Sequence, residues 1–208
     1  MDIREISKST LRRLPVYLHY LYAIKNEKAN ISSAAIAAKF GLNDVQVRKD
    51  LAMVSGSGRP KTGYDTAELI GQLEGCLGCR EDTRAILIGA GNLGKALLSY
   101  SEFADYGIRV MAAFDVDAAV IGTSVGGKNI FPLAHLEAYC LQNAATLGVI
   151  TVPVGAAQGV CDRLVACGVR AIWNFAPTIL KAPGNVLVEN ENLASSLAIL
   201  SRHIRNGR

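Results

Sequence analysis

The sequence contains no run of about 18 apolar residues, and its opening Met1-Asp2-Ile3-Arg4-Glu5 carries no basic segment leading into an apolar one. Neither a membrane-spanning helix nor a secretory leader is expected, so the expected location is the cytoplasm. Cysteines number only five (Cys76, Cys79, Cys140, Cys161 and Cys167). An odd, sparse set in a chain of this length excludes a disulfide framework and suits reduced, buried thiols. Charge is also scarce, at 19% of 208 residues against 50% hydrophobic, which fits a well-packed globular protein of one large or two small domains.

What charge there is lies unevenly. Residues 1–64 hold 11 Lys or Arg against 5 Asp or Glu, a net +6, whereas residues 65–208 hold 11 against 13, a net −2. A cationic front segment suits contact with a polyanion. Apolar residues Leu14, Leu18, Leu21 and Tyr22 recur as on one face of a helix, which Pro15 is expected to kink or restart. Ser32 or Ser33 can cap a second helix, Ala34 to Phe40, ended by Gly41. Asn43 can cap a third, with Val47, Leu51 and Val54 facing inward. Gln46, Lys49, Asp50 and Met53 then fall on other faces and Arg48 at the border, where they can meet a DNA groove.

The capping serines Ser32 and Ser33 can offer free N–H groups to phosphate. Three glycines, a proline and two cations follow in Ser55 to Tyr64, a turn-rich loop or small hairpin with Arg59 and Lys61 at its tip. Such a wing reaches DNA beside the recognition helix, giving a winged helix-turn-helix domain over residues 1–80. Leu69, Leu73 and Leu77 mark a further helix, and Cys76-Leu-Gly-Cys79 after it lacks the additional ligands a zinc site needs. No metal site is expected.

The second part opens on a short apolar strand, Thr83 to Ile88, running into Gly89-Ala90-Gly91-Asn92-Leu93-Gly94 and then a helix. A glycine-rich turn in that context cradles a dinucleotide. Its first glycine allows the turn, the second admits the pyrophosphate, the third lets the helix pack on the sheet, and loop N–H groups face the phosphates. The strand Ile108 to Asp115 ends in a carboxylate beside Val116, where adenosine ribose is expected. A carboxylate accepts from both ribose hydroxyls and repels a 2′-phosphate, which favours NAD(H). Two further strands end in Thr151-Val152-Pro153 and in Asn174-Phe175-Ala176-Pro177, at the edge where doubly wound sheets bind ligands. A Rossmann parallel-sheet domain is therefore expected over 81–190. Leu193, Leu197, Leu200 and Ile204 mark an amphipathic closing helix.

A dehydrogenase also needs an acid or base near the nicotinamide and a domain to enclose substrate. The three histidines, His19, His135 and His203, do not follow strands at that edge, and only about 20 residues remain after the last strand. No catalytic residue is assigned. An NAD-dependent oxidoreductase with an accessory basic domain is the alternative, and a nucleotide-binding scaffold a third reading.

Taken together, Arg12-Arg-Leu-Pro-Val-Tyr-Leu, Val47-Arg-Lys-Asp-Leu, Gly63-Tyr-Asp, the glycine turn, Ala113-Phe-Asp-Val-Asp, Ile150-Thr-Val-Pro and Asn174-Phe-Ala-Pro resemble the Rex family of bacterial redox-sensing repressors across nearly the whole chain. The resemblance implies a non-enzymatic homodimer that binds palindromic operator DNA when NADH is scarce and releases it when NADH binds, with the segment 191–208 exchanged between subunits. It also implies intersubunit switch contacts among Arg13, Tyr100 and an acid near the last helix, Tyr100 lying beside the cofactor. Many members carry an Asp-Phe pair where this chain has Glu191-Asn192, so Glu191 takes the acidic role and the aromatic contact to nicotinamide is missing. Met53-Val-Ser-Gly likewise replaces a Tyr-Phe-Gly segment before the wing.

Overall fold

The computed structural model describes residues 6–60 and 62–205, and the chain divides into two units, Met1–Glu81 and Asp82–Arg208. The first unit holds helices α1 (Lys8–Ile24), α2 (Ser33–Phe40), α3 (Asp44–Ser55) and α4 (Thr66–Leu77), with the short strands β1 (Asn30–Ile31) and β2 (Tyr64–Asp65) paired antiparallel. Each helix start is closed by a side-chain oxygen, the ordinary device for orphan N–H groups. Ser7 accepts from Thr10 N–H, Ser32 from Ala35, Asn43 from Val45 and Asp65 from Glu68. Gly41, left-handed at φ 64°, ends α2 and sets the tight turn into α3.

Pro15 does not restart its helix. α1 is one element, although proline removes the N–H that would reach Leu11. Its buried stripe of Leu14, Tyr17, Leu18 and Leu21 packs with Ile36, Val47, Leu51, Leu69 and Leu73 into one core, and that packing outweighs a lost hydrogen bond. Among the described residues, the segment expected as a wing is closed by a bridge between Arg59 and Gly63. Gly63 has φ 80°, and a Cβ there would strike the carbonyl of Ile31, so only glycine lets the loop meet β1.

The second unit is a seven-stranded sheet built from β3 (Thr83–Ile88), β4 (Ile108–Asp115), β5 (Ser124–Val125), β6 (Lys128–Pro132), β7 (Leu147–Ile150), β8 (Ala171–Asn174) and β9 (Leu187–Asn190). The order is β5-β6-β4-β3-β7-β8-β9, parallel throughout except for β5. Helices α5 (Asn92–Ser99), α6 (Leu136–Asn143), α7 (Val154–Ala166) and α8 (Leu193–Arg205) complete the unit. Strand β3 alternates its neighbours: Ala85 and Leu87 pack with Leu98 of α5, while Ile86 and Ile88 pack with Cys140 and Leu164 of α6 and α7. A strand covered on both faces must be apolar at every position, as Ala85 to Ile88 is. The order of the six parallel strands is that of a doubly wound nucleotide fold, whose chain leaves β3 and β7 toward opposite sides and opens a crevice at their carboxyl ends. No helix among the described residues is long and apolar enough to cross a membrane.

Candidate nucleotide cleft and nucleic-acid interface

A cleft of about 650 Å³ lies at that crevice. Gly89, Ala90, Gly91, Asn92, Asp115, Val116, Thr151, Val152 and Pro153 all line it. Gly89 has φ 102°, and a Cβ on it would press against the backbone of Thr151. A Cβ on Gly94 would collide with the carbonyl oxygen of Gly89, so this glycine sets how closely α5 approaches β3. Gly91 differs from both: it is the N-cap of α5, makes no side-chain cap, and has open space where a Cβ would point. An uncapped helix start facing open space is a ready anion site.

Asp115 is held in place by three backbone donors. Ala90 N–H reaches Oδ2 at 2.5 Å, and the N–H groups of Val116 and Asp117 reach Oδ1 at 2.7 and 2.9 Å. A fixed carboxylate at the end of β4 can accept from ribose hydroxyls. Thr151 Oγ1 donates to the carbonyls of Gly89 and Ile88 at 2.6 and 3.1 Å, locking β7 onto the glycine turn.

Several expected cofactor residues lie elsewhere. Leu93, Gly94, Tyr100, Asn174, Phe175, Ala176 and Pro177 are not among the lining residues. Asn174 is fully buried and spends its amide on the carbonyls of Ala176 and Thr178 and on Asn190 Oδ1. It shapes the loop after β8 and keeps no donor for a ligand. Sequence reading passed over Lys95, Val120, Leu133, Ala156 and Val160, which do line the cleft, as does Asp117 beside Asp115. Lys95 was within reach of it: four residues past Gly91 on a helix, it shares that glycine's face, and helical side chains lean back toward the N-terminus.

In the first unit a second concavity, about 450 Å³, gathers Ser32, Ser33, Arg48, Lys49 and Arg59 with Gly58, Gly63 and Tyr64. These come from the start of α2, the exposed face of α3 and the tight loop. Ser33 Oγ donates to Asp44 at 2.6 Å, and Arg48 pairs with the same carboxylate at 2.9 Å. The Ser33 hydrogen bond chiefly, with help from Arg48, draws Asp44 below the usual carboxylate range. Lys61, expected at the loop tip, lies outside the described residues.

One expectation for α3 needs correction. Asp50, placed on a DNA-facing surface by the apolar spacing, is 1% exposed. Arg13 grips it with Nε at 2.6 Å and Nη2 at 2.7 Å, and Tyr17 at 2.9 Å, Gln46 at 3.0 Å and Thr10 at 3.1 Å add donors. Burial alone would raise the Asp50 pKa, but these donors outweigh it and hold the group below its ordinary value. Burial and the hydrogen bond to Asp50 together push Tyr17 up to about 12. Gln46 turns to this inner carboxylate and does not line the concavity.

Among the remaining candidates, Tyr100 donates to Glu102 at 2.5 Å, and that bond chiefly raises its pKa. Glu191 accepts from Trp173 Nε1 at 3.1 Å. Asn192 caps α8, accepting from Ser195 N–H at 3.1 Å. Cys76 and Cys79 pack against the first unit's core, and burial raises the Cys76 pKa. No cluster of metal-ligating side chains occurs among the described residues.

Comparison with known proteins gives matches over nearly the full length. The family described as "CoA binding domain" matches residues 80–178, and "Putative DNA-binding protein N-terminus" matches residues 5–52. The redox-sensing transcriptional repressor Rex of Syntrophomonas wolfei is 41% identical over 98% of this chain and 98% of its own. Its counterpart in Streptomyces griseus is 41% identical over 96% of this chain and 79% of its own, and that of Porphyromonas gingivalis 34% over 97% and 93%. Among solved structures, RSP in complex with β-NAD+ and operator DNA superposes with a TM-score of 0.91 at 34% identity, covering 97% of this chain and 94% of that one. RSP in complex with β-NADH gives 0.86 at 34% identity, covering 98% and 96%.

Proposed function

The chain belongs to the Rex family of redox-sensing transcriptional repressors, and on that premise we propose that it binds operator DNA when NADH is low and lets go when NADH occupies its cleft. The observation that carries the reading is the pairing, in one chain, of an uncapped helix start and fixed carboxylate at a Rossmann switch point with a cationic concavity built on a helix-turn-helix. The cleft has the parts for NAD(H): Gly91 and the α5 N-terminus for the diphosphate, Asp115 for the adenosine ribose, and Thr151, Val152 and Pro153 at the end of β7 for the nicotinamide. When bound, the dinucleotide supplies a redox-dependent charge, since NAD⁺ and NADH differ by a hydride and one positive charge on the ring.

The working division is a DNA-binding domain over 1–80, a nucleotide-binding domain over 81–190 and a dimerisation segment over 191–208. Ser32, Ser33, Arg48, Lys49, Arg59 and Lys61 meet the phosphate backbone and groove edges of a palindromic duplex, with Gln46 in support. Arg13 and Tyr100 exchange their present partners, Asp50 and Glu102, for intersubunit ones as the dimer switches, and Glu191 joins these contacts while keeping its bond to Trp173. The protein works in the cytoplasm as a sensor and not as an oxidoreductase. The test is fluorescence anisotropy of a labelled palindromic duplex selected in vitro against the protein: NADH lowers its affinity and NAD⁺ does not. Unchanged affinity on NADH addition, or steady NADH consumption with a small carbonyl compound, would count against the reading.

A further inference from the structure

The carboxyl ends of β8 and β9 are bolted to the root of α8 by bonds that use no residue of the cleft lining. Glu191 N–H donates to the Asn174 carbonyl at 2.8 Å, and Asn174 Nδ2 to Asn190 Oδ1 at 2.9 Å. The third bolt is the Trp173 indole N–H on Glu191 Oε1, 3.1 Å away. α8 starts two residues later and exposes Leu197, Leu200 and Ile204 along one face.

Trp173 is the sole tryptophan, and its ring touches what surrounds the cleft. Phe175 lies against it at 4.5 Å between centroids, and Phe175 N–H donates to Ile150, next to the lining residue Thr151. Phe103 meets the indole edge-on at 5.8 Å and in turn meets Tyr100 edge-on at 4.9 Å. Tyr100 and Phe103 directly follow α5, the helix whose N-terminus faces the cleft. One side chain therefore rests on the tail of α5 and on the end of β8 while holding the acid from which α8 departs.

We propose that Trp173 is a positioning residue that couples occupancy of the nucleotide cleft to the attitude of α8, through its N–H bond to Glu191. This rests on the nucleotide-sensor reading above. A dinucleotide that shifts α5 or the β7 and β8 ends carries the indole with them, and the indole carries Glu191. The helix amplifies the shift: 13 residues at 1.5 Å rise span roughly 20 Å, so a turn of about 10° at its root moves its tip by roughly 3 Å. Asn192, beside Glu191, caps α8, so the acid that Trp173 holds sits directly before the helix start.

The test is amide hydrogen exchange over residues 192–205 of the full chain with and without saturating NADH, alongside a fluorescence titration of NADH binding. In the wild type NADH changes exchange in this segment. Trp173→Phe keeps the ring stack but lacks the N–H, so NADH affinity stays within about threefold while the exchange response shrinks at least about fivefold. Glu191→Ala, which leaves the aromatic stack untouched, gives the same loss, and Glu191→Gln, which keeps an acceptor, restores the response. A wild-type response in both Trp173→Phe and Glu191→Ala overturns the proposal, as does NADH binding to the wild type with no change over 192–205, which leaves nucleotide sensing itself intact. Failure of the wild type to bind NADH overturns the functional reading and this coupling together.

Discussion

Gly91 and Gly94 sit three residues apart in one turn and answer to different demands. Gly94 has no room for a Cβ because the Gly89 carbonyl fills that space, whereas Gly91 faces open volume with an ordinary φ of −70°. Gly94→Ala should therefore destabilise the second unit by about 2–3 kcal/mol, read as a lower melting temperature without ligand. Gly91→Ala should leave that temperature unchanged and weaken NADH binding about tenfold or more, because the methyl occupies the diphosphate's approach. Equal effects on both measurements for both variants would undo this separation of roles.

Asp50 shows what a residue-level reading of the sequence misses. Apolar spacing placed Val47 and Leu51 inside correctly, and by the same count it put Asp50 outside. A carboxylate buried on a polar face is legible only through its donors, and Arg13, Thr10 and Tyr17 stand 33 to 40 positions earlier. Because its folded pKa is depressed, the stability it contributes is complete above the ordinary value of 3.8 and is lost as pH falls below that toward the folded value. Asp50→Asn should cost about 3 kcal/mol at neutral pH, since it strands a partly buried Arg13. The gap between variant and wild type should narrow below that pH, as measured by denaturant titration at pH 7 and pH 3.

At the scale of elements, α8 is the piece whose partner the chain does not supply. Leu197, Leu200 and Ile204 are 67%, 58% and 77% exposed, at the spacing of one helical face. If the proposed dimer forms through this face, placing Glu at both Leu197 and Leu200 should convert it to a monomer in light scattering while helix content stays the same, because neither side chain is buried within the subunit. A variant that remains dimeric would move the interface elsewhere. The sequence made this helix legible, as it did β3 with its glycine turn and the caps at Ser32, Asn43 and Gly41, because caps and amphipathic spacing are local signals. It did not make legible the continuity of α1 through Pro15 or the inward turn of Asn174, each of which depends on packing from distant segments.

For the whole molecule, the two sites can act as a switch only if their ligands oppose one another, and linkage then fixes the size of the effect in both directions. Whatever factor NADH takes from duplex affinity, a saturating duplex must take from NADH affinity. A near-complete switch requires roughly 5.5 kcal/mol of such coupling, and a hundredfold loss requires about 2.7. NADH titrated into free protein and into duplex-bound protein should thus give dissociation constants whose ratio equals that of the duplex constants measured without and with NADH. The phosphate contacts fall off steeply with salt, with a slope near 0.9 per contact, so both titrations must share one ionic strength. Lys49→Ala should reduce that slope by about 1 and weaken the duplex without altering the ratio, because Lys49 lies on the concavity and not on the coupling route. Equal NADH constants with and without duplex would mean that the two sites occupy one chain without communicating.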